Sequence, residues 1–112
     1  MDSTRQQKVA RLIQRELAEV LQREGQGMVL QSMVTVTEVR ITPDLSIARV
    51  FISVFPPEKR QAALQQVNDA KKDLRMKLAA RVRNQLRVVP DLHFFIDDTL
   101  DQAERIDALL KS

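Results

Sequence analysis

The stretch from Asn68 to Arg87, NDAKKDLRMKLAARVRNQLR, concentrates cationic side chains in a pattern that predicts phosphate binding. It holds two aspartates against seven lysines and arginines, which are Lys71, Lys72, Arg75, Lys77, Arg81, Arg83 and Arg87. Each cation that neutralises a phosphate releases condensed counterions, so several contacts supply affinity for a nucleic acid without base reading. The alternative is a helix face whose charges are only solvated.

Helical periodicity divides five of these cations into two groups, and a predicted kink beside Lys71 is expected to leave that residue exposed. A narrow apolar seam repeats every four residues and consists of Leu74, Leu78 and Val82. The cations on one side of the seam are Lys72, Arg75 and Arg83, and those on the other are Lys77 and Arg81. Long basic side chains can lay their stems on apolar neighbours and project charge toward a phosphate track. Arg75 and Arg81 lie nearest to the seam, so a structural role is the alternative for these two.

Charge is segregated along the chain, although its net value is only +3. Residues 57–87 hold nine basic and three acidic groups, whereas residues 88–112 hold two basic and six acidic groups. Asp73 is the only acidic residue between Lys71 and Arg87. A field of this kind steers a polyanion to one face, which favours nucleic-acid binding over a solvated helix.

The residue types needed for catalysis are scarce. There is no cysteine, and the single histidine, His93, sits on the polar side of a predicted strand. The acidic residues from Asp97 onward lack the spacing of a calcium loop and suit a helix N-terminus instead. The four phenylalanines lie in predicted strands, where core packing is expected, and there is no Trp or Tyr for stacking bases. The sequence therefore predicts a binding protein with no catalytic residue, metal or cofactor.

Length and hydropathy predict one soluble domain over residues 1–112. Neither a secretory signal nor a membrane-spanning run is visible in the sequence. We therefore expect a cytoplasmic protein that is not bound to a membrane.

Local signals give an order of elements. Ser3 and Gln6 form a capping box at the start of a helix that should run to about Arg23 and stop at Gly25-Gln26-Gly27. Period-two alternation from Val34 predicts a strand with a β-bulge between Thr37 and Glu38. The turn 42–45 then leads into a second strand, 47–55. Alternation in this strand places Ala48, Val50, Ile52 and Val54 on one face and Ile47, Phe51 and Phe55 on the other.

The second half of the chain is predicted to hold a kinked helix pair, a strand and a last helix. The helices should cover about 57–67 and 70–85, with a kink at Asn68, Asp69 and Ala70. Asn68 and Asp69 are expected to end the first helix and cap the second. Leu92, Phe94 and Ile96 define a third strand, and Thr99 caps a final helix. The fold class is thus α+β, with a three-stranded sheet packed by helices.

The order α-β-β-α-α-β is similar to a type II KH-like domain, here with an additional C-terminal helix. KH domains clamp nucleotides with a GXXG loop, but this junction reads NDAKKD and holds no glycine. Three segments follow one another along the chain: RQQKVARLIQRELAEVL, VTVTEVRITPDLSIARVFISV and DLRMKLAARVRNQLRVVPDLHFFIDDTLDQAERIDALL. On these segments the chain resembles the ribosome-binding factor A family, which has a kinked Ala-X-Gly junction in place of the GXXG loop. Lys72 stands where the family has its kink glycine.

The resemblance implies a non-catalytic assembly factor that needs no cofactor. Such a protein binds the free or immature small (30S) ribosomal subunit and its 16S rRNA. It promotes late maturation, including 5′-end processing of 16S rRNA and adaptation to cold, and it is monomeric. A GTPase acting on the same particle is implied as a further partner. The alternative is a protein–protein adaptor on a KH-like scaffold that does not bind RNA directly.

Overall fold

The computed structural model describes residues 3–28 and 32–97. Its helices are α1, Thr4–Met28; α2, Arg60–Asp69; and α3, Lys71–Val82. Its strands are β1, Met33–Ile41; β2, Ile47–Phe55; and β3, Asp91–Ile96. A 3₁₀ turn, Pro57–Lys59, comes directly before α2. This order confirms the predicted α+β class, while the predicted last helix from Thr99 lies outside the described residues.

The three strands form one sheet in the order β1-β2-β3. β1 and β2 are an antiparallel hairpin, and β3 pairs with β2 in parallel after the chain crosses over through α2 and α3. The β1–β2 register shifts between Val36 and Glu38, which confirms the predicted bulge and places it at Thr37. The Thr37 hydroxyl donates to Asp97 Oδ2 at 2.6 Å and so ties the bulge to the end of β3.

The hairpin turn is stabilised by one aspartate. Asp44 Oδ1 accepts hydrogen bonds from the Ser46 hydroxyl at 2.7 Å, the Thr42 hydroxyl at 2.8 Å and the Ser46 N–H at 3.1 Å. These hydrogen bonds hold the pKa of Asp44 below its usual value. Leu45 takes a positive φ of 61°. The carboxylate compensates a conformation that a branched side chain otherwise avoids.

The core lies on one face of the sheet. The buried strand residues alternate with exposed ones, and in β2 they are Ala48, Val50, Ile52 and Val54, as predicted. Helix α1 packs on β1 and α3, and both α2 and α3 pack on β3. Because only one face is buried, the helices cover that face and leave the other open among the described residues.

The predicted capping box at the start of α1 is confirmed, and it also docks the helix. The Ser3 N–H donates to Gln6 Oε1 at 2.8 Å, and the Gln6 N–H donates to Ser3 Oγ at 3.1 Å. The buried Gln6 amide then donates through Nε2 to the Ile41 carbonyl at 2.8 Å. The helix start is thereby tied to the end of β1.

The predicted end of the first helix was wrong. Helix α1 continues past Arg23 and through Gly25 and Gly27 to Met28, and neither glycine has a positive φ. A glycine in a helix costs only about 1 kcal/mol relative to alanine, so it weakens the last turns without ending them.

The predicted cap between the two later helices was also wrong. Asn68 and Asp69 are the last residues of α2, and Ala70 occupies the N-cap of α3 without a side-chain cap hydrogen bond. The Ala70 N–H donates to the Gln66 carbonyl at 3.0 Å, and the Leu74 N–H donates to the Ala70 carbonyl at 2.9 Å. Because backbone groups already satisfy one another across the junction, no side-chain cap is needed.

Two classes of site are absent from the part of the chain that the structure describes. No helix there is long and apolar enough to cross a membrane. No group of three or more His, Asp or Glu side chains there is placed to hold a metal ion.

Candidate nucleic-acid interface

Helix α3 is anchored by the predicted apolar seam. Leu74, Leu78 and Val82 are each fully buried, and the helix packs between α1 and β3. With this seam facing inward, the cations of α3 project from its two sides, as the periodicity predicts. The two sides differ in how their charges are used.

Four of the seven predicted cations form what we call the open flank: Lys71, Lys72, Arg83 and Arg87. All four side chains are exposed, and none has an acidic partner among residues 3–28 and 32–97. The predicted exposure of Lys71 is confirmed. Cations that are held near one another without neutralising acids are free to bind an anionic ligand.

Two adjacent grooves bring the open flank together on the side of α3 that faces residues 86–93. The first encloses about 310 Å³, and its polar lining includes Lys71, Lys72, Asp91 and the exposed His93 of β3. The second encloses about 230 Å³ and is lined by Arg83 and Arg87. Arg75 lines both grooves and therefore stands between them. This arrangement places the cations of the open flank, together with Arg75, around two neighbouring grooves.

Arg75, unlike the open-flank cations, is held by hydrogen bonds within the described part of the protein. Its Nη2 donates to the Val89 carbonyl at 2.6 Å, and its Nε lies 3.1 Å from the same oxygen. Nε also lies 3.3 Å from the Pro90 carbonyl and 3.4 Å from Asp91 Oδ1. These contacts hold α3 against the segment that enters β3. The structural role that we considered for Arg75 is therefore present in the structure.

Arg81 is engaged in the same manner on the other side of α3. Its Nε donates to Glu16 Oε2 at 2.8 Å, which joins α3 to α1. The hydrogen bond from Arg81 is the main reason why the pKa of Glu16 lies below its usual value. Lys77 Nζ lies 2.8 Å from Asp73 Oδ2, one helical turn away. We call Lys77 and Arg81 the paired flank, because an acidic side chain partners each of them.

The backbone is irregular at the junction between α2 and α3, where the kink was predicted. Ala70 takes φ −95° and ψ 7°, outside the regular helical range. Lys72 follows inside α3, and Leu45 is the sole non-glycine residue with a positive φ in the described ranges. The backbone at Lys72 therefore requires no glycine, and its side chain adds a cation to the open flank.

The sequence did not predict the exposure of two phenylalanines. Phe94 is buried, as expected, but Phe55 keeps 70% of its accessible surface and Phe95 keeps 43%. Their parity in the strands could have indicated this, because both lie opposite to the core-facing positions.

The sequence model of the ribosome-binding factor A family matches residues 5–110 of this chain. Ribosome-binding factor A from Chlorobaculum tepidum is 44% identical over 111 residues, which cover 98% of this chain and 91% of that protein. These matches extend across all three motifs on which the resemblance rested.

Solved structures agree with the sequence comparison. The crystal structure of ribosome-binding factor A from Thermus thermophilus is similar with a TM-score of 0.68 and 28% identity, covering 81% of this chain and 94% of that one. A homology model of the Thermus thermophilus protein, fitted into the cryo-EM map of a complex with the 30S subunit, is similar with a TM-score of 0.63 and 31% identity. It covers 77% of this chain and 88% of that one. From its sequence and its fold, this chain belongs to the ribosome-binding factor A family.

Proposed function

We propose that this protein is a non-catalytic assembly factor that binds the free or immature small ribosomal subunit. In this proposal it contacts 16S rRNA through the open flank and promotes late maturation, including processing of the 5′ end. It works as a cytoplasmic monomer without a cofactor. Family membership supports this function, as does the small-subunit complex of the related Thermus thermophilus protein.

The single observation that carries the proposal is the open flank. Its four exposed cations line two adjacent grooves and lack acidic partners in the described part of the chain. A surface of this kind binds phosphates with an affinity that depends steeply on salt. Contacts with the phosphate backbone of an RNA fix the position of the protein on it without reading the base sequence. This suits recognition of a folded rRNA segment.

Binding alone can promote maturation if the protein prefers one rRNA conformer. A ligand shifts an equilibrium by its difference in affinity for the two states, so no fuel is consumed in that step. Misfolded rRNA helices become more persistent in the cold, where such a binder would matter most. Release from the mature particle then requires competition or energy from another factor, for which we propose a GTPase acting on the same particle.

A protein–protein adaptor is the second candidate. It is favoured by apolar side chains beside the open flank, since Met76 keeps 70% and Val88 keeps 73% of its accessible surface. An apolar interface responds little to salt, whereas phosphate contacts weaken steeply. Salt dependence therefore separates the two candidates.

Sedimentation with ribosomal particles tests the proposed function. The tagged protein is incubated with a bacterial lysate and separated on a sucrose gradient at low and at moderate salt. We expect it to migrate with free small subunits, but not with complete ribosomes, and to dissociate as salt rises. Failure to meet small subunits at any salt would overturn the proposal and favour the adaptor.

A further inference from the structure

The face of the sheet opposite the helices carries three aromatic rings, of which Phe55 and Phe95 are exposed and Phe51 is half-buried. Phe51 and Phe95 are register partners on β2 and β3, and their ring centroids lie 5.6 Å apart at an interplanar angle of 30°. Phe55 lies further along β2, opposite the exposed Met33 of β1. We call the surface formed by Phe51, Phe55 and Phe95 the aromatic platform. Large exposed rings are unusual on a protein surface unless they meet a ligand or a partner.

The cation Arg49 and the polar side chain of His93 flank this platform on the same face. Arg49 and His93 are register partners one alternation before Phe51 and Phe95, and both are exposed. Arg49 has no acidic partner within residues 3–28 and 32–97. Arg40 extends the row onto β1, where it pairs with Glu38 at 3.1 Å. The polar side chains of Thr35 and Ser53 separate the phenylalanine pair from Phe55.

The platform is continuous with the proposed interface. His93 belongs to the open face of the sheet, and it also lines the groove of Lys71 and Lys72. A strand that lies on the open flank can therefore pass His93 and reach the platform, although the acidic side chain of Asp91 also lines this groove. This continuity and the charge of Arg49 favour a polyanion as the occupant over an apolar protein surface.

We propose that the open face of the sheet binds a single-stranded RNA segment by stacking bases on the aromatic platform. Bases would stack on the Phe51–Phe95 pair and on Phe55, while Arg49 and His93 contact the phosphates between the platform and the open flank. Sheets in other RNA-binding folds stack two or three bases on aromatic side chains in this way. The inference rests on the proposed function, because it assigns a second, base-contacting surface to the same RNA ligand.

Fluorescence anisotropy with a labelled oligouridylate tests this surface. A second probe has the same sugar–phosphate backbone without bases. The variants are Phe95→Leu, which removes the ring but keeps apolar volume, and Phe95→Tyr, which keeps the ring as the matched control. Because Phe95 is exposed, both are expected to fold, which thermal unfolding verifies.

We expect Phe95→Leu to weaken binding of the oligouridylate by about 5- to 100-fold, the range for loss of one stacked base. Phe95→Tyr should bind like the parent protein. The base-free probe should bind more weakly to the parent protein and be indifferent to Phe95→Leu. Equal binding of both probes, or failure to bind the oligouridylate at low salt, would overturn the inference.

The double variant Lys72→Gln/Arg83→Gln separates failure of this inference from failure of the proposed function. If this variant weakens binding to small subunits while Phe95→Leu changes nothing, the platform is not an RNA site and the proposed function stands. If Phe95→Leu impairs binding to small subunits but not to the oligouridylate, the platform meets a ribosomal protein, and the inference is wrong. If neither variant alters binding to small subunits, both the platform and the open flank are wrongly assigned as RNA contacts, whereas the proposed function itself fails only if the parent protein does not bind small subunits.

Discussion

The two flanks of α3 carry the same kinds of residue but differ in what surrounds them. On the open flank, Lys72 and Arg83 line the two grooves and have no acidic partner in the described ranges. On the paired flank, Lys77 lies 2.8 Å from Asp73 and Arg81 lies 2.8 Å from Glu16. Charge on one flank is available to a ligand, whereas charge on the other holds the helix in place.

This difference shows why a basic helix cannot be interpreted from its own residues alone. Helical periodicity places cations on both sides of the seam and treats them alike. The acid that neutralises Arg81 comes from α1, which is distant in sequence, and the carbonyls that engage Arg75 come from the segment before β3. Each contact depends on tertiary packing, and within residues 3–28 and 32–97 four of the seven candidate cations have no acidic partner.

The largest effect on stability is expected from truncating a buried residue of the apolar seam, which orients both flanks of α3. Leu78→Ala should lower the free energy of unfolding by about 2–5 kcal/mol, because Leu78 is fully buried and truncation leaves a cavity. Urea denaturation followed by circular dichroism measures this change. Met76→Ala, at an exposed position of the same helix, is the control and should stay within about 0.5 kcal/mol. A similar cost for both variants would contradict the assigned orientation of α3.

Loss of the hydrogen bonds of Arg75 should have the next largest effect on stability. Arg75→Ala removes hydrogen bonds from a charged donor to the Val89 and Pro90 carbonyls and should cost about 1–3 kcal/mol of stability. Arg75→Lys keeps the charge but loses the planar donor pair, so its stability should be intermediate. Urea denaturation of the three proteins makes the comparison. If Arg75→Ala left the free energy of unfolding unchanged, the hydrogen bonds of Arg75 would not stabilise the fold, and its side chain would be free to bind RNA.

Breaking the ion pair between α1 and α3 tests the paired flank. Glu16→Gln should cost up to about 1 kcal/mol at neutral pH, because the pair lies near the surface. The pKa of Glu16 is lowered from 4.5, so its stabilising effect is complete above that value and disappears as pH falls through the folded-state pKa. The difference in unfolding free energy between parent and variant should therefore shrink in acid. A difference that grows as pH falls would refute the assignment.

The smallest effect is expected where the family has its kink glycine. Lys72→Gly should lower stability by about 0.5–1 kcal/mol, since Lys72 lies inside α3. Affinity for RNA should stay the same or fall slightly, because one cation of the open flank is lost. Lys72→Ala removes that charge without loosening the helix and serves as the control. A large gain in affinity for Lys72→Gly alone would mean that the kink is too rigid here.

Sequence patterns predicted those features that depend on local periodicity. The parity slip near Thr37 located the bulge, and the spacing of Leu74, Leu78 and Val82 located the seam. Patterns that rely on helix-ending residues were less informative. Helix α1 continues through Gly25 and Gly27, because a glycine costs a helix less free energy than the loss of the helical hydrogen bonds would.

The exposure of the aromatic residues could not be predicted from sequence patterns either. Strand parity assigned Phe51 and Phe55 to the side opposite Ala48 and Val50, but it could not determine whether a further layer covers that side. The helices pack on the other face, and Phe55 is consequently exposed. The exposure of these rings depends on which face of the sheet the helices cover, and that is decided by the side on which the chain crosses over through α2 and α3.

The salt dependence of binding to purified small subunits tests most directly whether affinity resides in the open flank. Two double variants remove equal charge from α3: Lys72→Gln/Arg83→Gln on the open flank and Lys77→Gln/Arg81→Gln on the paired flank. Each lost phosphate contact should flatten the slope of log affinity against log salt by about 0.7–0.9. We predict a slope flattened by about 1.5 for the open-flank variant and nearly unchanged for the paired-flank variant. Equal slopes for the two variants, or a flatter slope for the paired flank, would contradict this account.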